Sequence, residues 1–561
     1  MKQVAYESIA RDAIVRRCQR SVIYALLVST LAVTPQFNLD PINLPKFLAI
    51  VAFAGLLVGY IWRGFLELPR ALVISSGLFL VAMLSSSVTA ESSLVIQAYG
   101  AFGRNTGLLT YVALLVLLLA TVVVTRSGFS LNIVRALIFI SAASAIYGLV
   151  QWSGNDPVNW DNPYNAILGT LGNPNFISAF LGMGCVASMA LLLDSGGLAK
   201  QFLWTIVLIP SSIFLIVKSD ASQGLILVLA GMTLLIYLRF IRPARVAILS
   251  IGYLILTISA TALAVLGLLQ RGPLARFLYQ DSITYRGDYW RAGIEMTLAK
   301  PFTGVGMDSY GDWYRTSRTS EAALRRGPDV TSNSAHNVFF DLSSNGGFPL
   351  LIAYLLLCLL IVRSLIRIIS RSKRYDSIAA ALFVSWLAYI IQSVISINQI
   401  GLATWGWILG GAIIGYDLYG NREMEFVPKN KKIPDSRRIP PVSVLTSTGG
   451  FVIAVLLAMW PVVQDISVRN ALESGDEIKI ESSVNQFPQS SYYYVYASQV
   501  LLENKLEDKA LEMAKKAIEI NPRDFNAWKL LAANPTISES ERAAAIAKMK
   551  ELDPFNNTLG D

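Results

Sequence analysis

Apolar runs long enough to cross a bilayer, about 20 residues each, recur along this chain from Ser21 to about Tyr419, and one more follows near 447–464. They lie near 21–34, 44–62, 71–88, 107–125, 132–150, 175–193, 201–217, 222–238, 245–268, 347–366, 377–397, 401–419 and 447–464, which gives thirteen expected spans. A water-soluble fold could not bury them all. The expected fold class is therefore all-α, a polytopic membrane protein of about 12–13 transmembrane helices with a small helical-repeat domain after them.

Composition agrees. Hydrophobic residues make up 54% and charged residues 15% of the 561 positions, against roughly 45–50% and 25% in soluble domains, and the mean hydropathy is +0.50. The formal charge of +9 arises from short Lys and Arg clusters between apolar runs. No stripe with interleaved aromatics forms, so nucleic acid is not an expected partner and membrane lipids are. The three cysteines, Cys18, Cys185 and Cys358, show no CxxC or metal spacing, and neither a metal nor a cofactor is expected.

The basic residues also orient the chain. With the N-terminus inside, the inner connections collect Arg63, Arg70, Arg126, Lys200, Arg239, Arg242, Arg245, the Arg363–Arg374 cluster and the Lys429–Arg438 cluster. The expected setting is a cytoplasmic (inner) membrane. The outer connection 270–346 nevertheless carries eight arginines, Arg271, Arg276, Arg286, Arg291, Arg315, Arg318, Arg325 and Arg326. Long loops translocate whatever their charge, so this loop reads as more than a connector. The chain divides into a cytoplasmic segment 1–20, a transmembrane domain 21–465 that includes the outer loop, and an extracytoplasmic helical domain 466–561. In that last part Pro488 and Pro522 stand 34 residues apart around Tyr496, Ala497, Leu501, Ala510, Ala514 and Ala517, a pattern that resembles a tetratricopeptide repeat. A plain helical cap and a docking module for an acceptor or a protein partner are both open readings.

Chemistry is expected at the outer connections. The only histidine, His336, lies in Ser334-Ala335-His336-Asn337, ahead of a helix-breaking Gly346-Gly347-Phe348-Pro349. A neutral imidazole there could take a proton from a hydroxyl; the alternative is a histidine bonded to a carbonyl to fix the helix entry. Asp341, five positions on, falls on another helix face, which disfavours a simple His-Asp dyad. Arg286 and Trp290, four apart, share a helix face that suits a guanidinium on phosphate beside a stacking aromatic, or an arginine snorkelling from an interfacial helix. Gly304 and Gly306 permit a tight turn. Three further elements, Tyr99–Leu109 with Arg104, Leu171–Phe176, and Lys218–Gly224 with Gln223, fall at the same face. No GxxxxGK[ST], G-x-S-x-G or HExxH occurs, which counts against an ATP-driven pump, a serine esterase and a zinc protease.

His336-Asn337 followed after nine residues by Gly347, together with Arg286, Trp290, the Pro301–Gly306 turn, Gly103–Leu109 and Gly172–Asn175, resembles the O-antigen ligase and polymerase superfamily. Those bacterial enzymes transfer glycans from undecaprenyl diphosphate outside the cytoplasmic membrane, and the resemblance spans roughly Leu44 to Gly420. Two positions depart from the family pattern: Leu350 replaces a second glycine, and Gln223 stands where an arginine is common, with Lys218 nearby. The resemblance implies a GT-C-like membrane glycosyltransferase that inverts configuration without a metal or cofactor. His336 would deprotonate the acceptor, while Arg286 and Arg104, with Arg291, would hold the diphosphate. Trp290, Asn337, Lys218 and Gln223 complete the expected substrate-binding set. The donor would be an undecaprenyl-diphosphate-linked glycan, and the acceptor a glycan, lipid or protein, so a ligase, a polymerase and a protein O-oligosaccharyltransferase all fit. A polysaccharide or lipid transporter is the rival from another class, but the sequence shows neither midplane charges nor inverted repeats.

Overall fold

With no water to pair with, a lipid-embedded backbone must satisfy its own hydrogen bonds, and the computed structural model is helical throughout, with no strand among the described residues. It describes residues 2–62, 68–125, 128–160, 165–194, 199–244, 246–278, 281–371, 374–419 and 441–559. Each of the thirteen apolar runs falls in a helix. Among the described residues, nine helices are long and apolar enough by themselves to cross a membrane. The chain is thus a multi-pass all-α membrane protein. Of the residues used to orient it, Arg63, Arg126, Arg245, Lys373 and the Lys429–Arg438 cluster lie outside the described residues.

Four helices form the centre. Ile400–Tyr419, buried almost along its whole length, packs on Leu108–Val124, Val338–Arg371 and Ser377–Ile395. An aromatic knot of Phe79, Tyr111, Tyr354 and Trp407, with ring centroids 5.6–6.5 Å apart, fills the gap between them. At the periphery, Ala247–Leu268 is exposed on every side and apolar on every side, as a lipid-facing span should be.

Close helix contact depends on small residues where lipid offers no hydrophobic drive. The helix Asn43–Ile61 crosses Pro441–Ser474 at Gly55 and Gly59; an added Cβ there would stand 2.4 Å from the Gly450 carbonyl oxygen or 2.2 Å from that of Thr446. The same helix Pro441–Ser474 runs on past the membrane segment as one rod. Beyond it come the short helices Glu477–Val484, Ser491–Glu503, Glu507–Ile520, Phe525–Ala533 and Glu539–Leu552.

The connections at one end of the bundle are stitched into a rim. Asn43 donates to the Gly103 carbonyl at 2.6 Å and accepts from Gln399 at 3.0 Å. Thr170 donates to the Thr30 carbonyl at 2.8 Å, and Asn165 to that of Lys218 at 3.2 Å. On the same rim, buried Asp465 accepts from the Leu39 N–H at 2.7 Å and from Tyr493 at 2.7 Å, which ties the tail to the first connection. The expected outer elements therefore do share one end of the molecule.

Candidate active site

The site is assembled around a buried carboxylate. Asp308, at φ +54° in the turn after Gly306, accepts from the backbone N–H groups of Ala101 (2.8 Å) and Thr106 (3.2 Å) and from the Thr106 hydroxyl (2.8 Å). Its Oδ1 also lies 3.0 Å from Nε of Arg104. Arg104, 5% exposed, reaches in turn the Asn333 carbonyl at 2.8 Å and Asp341 Oδ2 at 3.6 Å. Asp341 Oδ1 accepts from the Ala335 N–H at 2.7 Å. One guanidinium and two carboxylates thus pin Asn333 and Ala335, the approach to His336. On the other side Asn337 Oδ1 accepts from the N–H groups of Phe339 (2.9 Å) and Phe340 (3.2 Å), capping the helix that follows.

That helix breaks as its glycines foretold. Gly346 and Gly347 leave helical geometry, and Gly347, at φ +66°, takes a conformation that costs a side chain dearly. The break lets the Pro301–Gly306 turn dock: Val305 donates to the Ser344 carbonyl at 2.8 Å, Gly306 to that of Asn345 at 3.0 Å, and Phe348 to that of Pro301 at 2.8 Å. The turn and His336 are thereby held in one frame.

His336 itself sits at φ +52°, a region non-glycine residues seldom occupy and one that recurs at functional sites. Its ring stacks on Tyr289 with centroids 5.2 Å apart. Tyr289 is fixed from below by Tyr310, whose hydroxyl donates to the Tyr289 carbonyl at 2.6 Å, and at its own hydroxyl by Arg326. The stack faces an open cavity of ≈ 480 Å³ whose wall includes Tyr285, Arg286, Arg326, Thr331 and Asn333. Burial, and then the positive charges of Arg286, Arg104 and Arg326, push the imidazole down to about 3. It is a neutral acceptor across the physiological range.

Two guanidinium groups in this wall have no carboxylate within ion-pair distance among the described residues, those of Arg286 and Arg326. Burial works against the charge of Arg286, and only Tyr289 offsets it. Arg326 lies over the Tyr285 ring at 4.3 Å. A cavity with a neutral imidazole and two uncompensated cations is built to receive an anion beside a proton acceptor.

The remaining expected residues take other places. Arg104, expected to grip the diphosphate, lies behind the cavity wall and pairs with Asp308 and Asp341. Trp290, on the same helix as Arg286, packs against Phe340 with centroids 6.0 Å apart, and its buried indole N–H has no partner among the described residues. Arg291 is exposed on that helix near Glu321, away from the cavity wall. Lys218 is exposed over Phe214 at 5.9 Å, and Gln223 is buried with both amide atoms unpaired; neither lines the cavity. Arg326 was not singled out from the loop's arginines. Its one sequence signal is the following Gly327-Pro328, which ends the helix Ser320–Arg326 and turns the chain toward His336.

Fold and cavity together define a multi-pass, all-helical membrane protein with a basic, histidine-bearing pocket at one end of its bundle. Residues 205–355 match the family model described as O-Antigen ligase. That match covers Arg286, Arg326 and His336, and it supports a glycosyl-transfer activity of the ligase and polymerase kind. No curated protein matches the chain.

Proposed function

We propose that this protein transfers a glycan from undecaprenyl diphosphate to an acceptor hydroxyl at the outer face of the bacterial cytoplasmic membrane, inverting configuration without a metal. The observation that carries the reading is the neutral imidazole of His336 facing Arg286 and Arg326, both free of carboxylate partners among the described residues. His336 accepts the proton as the acceptor oxygen bonds to the anomeric carbon; the glycosyl C–O bond to the diphosphate breaks, and the two guanidinium groups take up the charge that develops on the leaving phosphate. The rim then faces outward and the helical tail, with its tetratricopeptide-like pattern, is extracytoplasmic, where it presents a surface to a protein partner or to the acceptor.

Envelope glycans and lipid-linked intermediates compared with and without the gene test the reaction and separate its variants. Long lipid-linked polymer accumulates if the protein is a ligase, and single repeat units accumulate if it is a polymerase. Unmodified protein acceptors mark an O-oligosaccharyltransferase. No change in any of these sinks glycan transfer and favours transport.

The pH profile gives a second test. The acceptor form of His336 is lost only as pH falls through about 3 in the free protein. kcat/KM, which reports free-enzyme ionisations, is therefore expected to show no acid limb near the usual histidine value and to stay flat from about pH 5 to about pH 8. A profile that halves near pH 6.5 would contradict the buried, cation-flanked histidine described here.

A further inference from the structure

The wall opposite Arg286 is held from an unexpected quarter. Asp553 follows the last turn of helix Glu539–Leu552 and is 1% exposed. Its carboxylate takes Arg318 Nη2 on both oxygens at 2.7 Å and Arg315 Nη1 at 2.8 Å. Each arginine goes on to the same turn of the outer loop: Arg315 donates to the Pro328 carbonyl at 2.7 Å, and Arg318 to those of Pro328 at 3.0 Å and Val330 at 3.3 Å. The turn is followed at once by Thr331, Ser332 and Asn333 in the cavity wall, and is preceded by Arg326.

The position of this acid says what it is for. At a helix C-terminus a carboxylate opposes the macrodipole, so the helix itself gains nothing from it. Three further contacts register the same face. Thr316 donates to the Leu552 carbonyl at 2.9 Å, Arg523 to the Thr316 hydroxyl at 3.0 Å, and Asn521 to Asp312 at 3.1 Å. Arg315 and Arg523 also cover the Phe525 and Trp313 rings at 4.0 Å and 3.5 Å.

We propose that the C-terminal helical domain is part of the transfer site, with Asp553 as a positioning residue that holds the Pro328–Asn333 wall, and with it Arg326, against His336. The proposal rests on the glycan-transfer reading for its catalytic consequence, not for the clamp itself. Without the carboxylate two buried guanidinium groups are left with carbonyls alone, and the turn they share is released. Anything that engages the tail thereby acts on the cavity.

Two readouts on purified full-length protein test it. A cysteine placed at Thr331, on the exposed cavity lip, reports the wall through its rate of reaction with a water-soluble maleimide; the native cysteines are buried or half-buried. Asp553→Asn is expected to change that rate several-fold and to lower transfer about 10²-fold, the scale of loss that a misplacement of about 1 Å can cause. Asp553→Glu restores most of both. Should Asp553→Asn fail to accumulate, Arg318→Lys serves instead, because a lysine cannot span both carboxylate oxygens and the two carbonyls. Lys529→Ala, which removes only the exposed pair to Asp329 on the same face, leaves both readouts unchanged. Wild-type labelling and transfer in Asp553→Asn and Arg318→Lys overturn the proposal. A labelling response in a protein whose wild type transfers no glycan keeps the clamp and removes the reaction assigned to the cavity.

Discussion

His336→Ala is expected to lower glycan transfer by about 10²- to 10⁴-fold, the contribution of a positioned general base, while the protein stays inserted and abundant. The structural cost of the change is small. Among the described residues the ring contributes a stack on Tyr289 and no hydrogen bond that holds an element in place, whereas the backbone on both sides is pinned by Asp341, Arg104 and the Asn337 cap. Histidine already carries a Cβ at φ +52°, so alanine there adds little backbone strain. The assay is transfer by purified protein from a lipid-diphosphate donor, with abundance measured in parallel. Near-normal transfer would end the general-base assignment and leave His336 as a helix-entry residue.

Arg286→Ala should be almost as severe, about 10²- to 10³-fold in transfer, because one donor aimed at developing charge is worth that much. Of the cavity's cations this is the cleanest to remove. Arg286 makes no protein ion pair among the described residues, and burial penalises its charge, so its loss relieves the empty protein and harms only the complex with an anion. Arg326, in contrast, also holds the Tyr289 hydroxyl, and Arg104 is wedged between two carboxylates whose exposure costs about 3–5 kcal/mol when the pair is broken. Arg286→Lys should recover part of the rate, since a point charge replaces a two-pronged donor. If kcat and kcat/KM fall together, the charge acts in the transition state; a rise in KM alone would make Arg286 a ground-state anchor and refute the leaving-group role.

The spans were legible because a bilayer imposes one length on every crossing, and even the short gap between the runs 377–397 and 401–419 appears, as the break between Ile395 and Ile400. His336 was legible through rarity and Arg286 through its spacing from Trp290. Arg104 was legible as a special residue but its ion pairs were not, because its partners Asp308 and Asp341 are far away in sequence and come together only in the folded rim. Arg326 was hidden among like residues in an arginine-rich loop; which of them faces a cavity depends on where Gly327 and Pro328 send the chain. The role of Asp553 had no sequence signal, since an aspartate before a proline reads as an ordinary turn.

The clamp made by Asp553 also sets an order of events in the making of the protein. Arg286, Arg326 and His336 all lie ahead of the helices Ser377–Ile395, Ile400–Tyr419 and Pro441–Ser474, whereas the carboxylate that steadies their loop comes after every apolar run. A chain is synthesised from its N-terminus, so a nascent chain has its imidazole and its guanidinium groups in place well before the wall that aligns them is fastened. On the clamp proposed above, the wall of the pocket is fastened only when the tail has folded back on the rim.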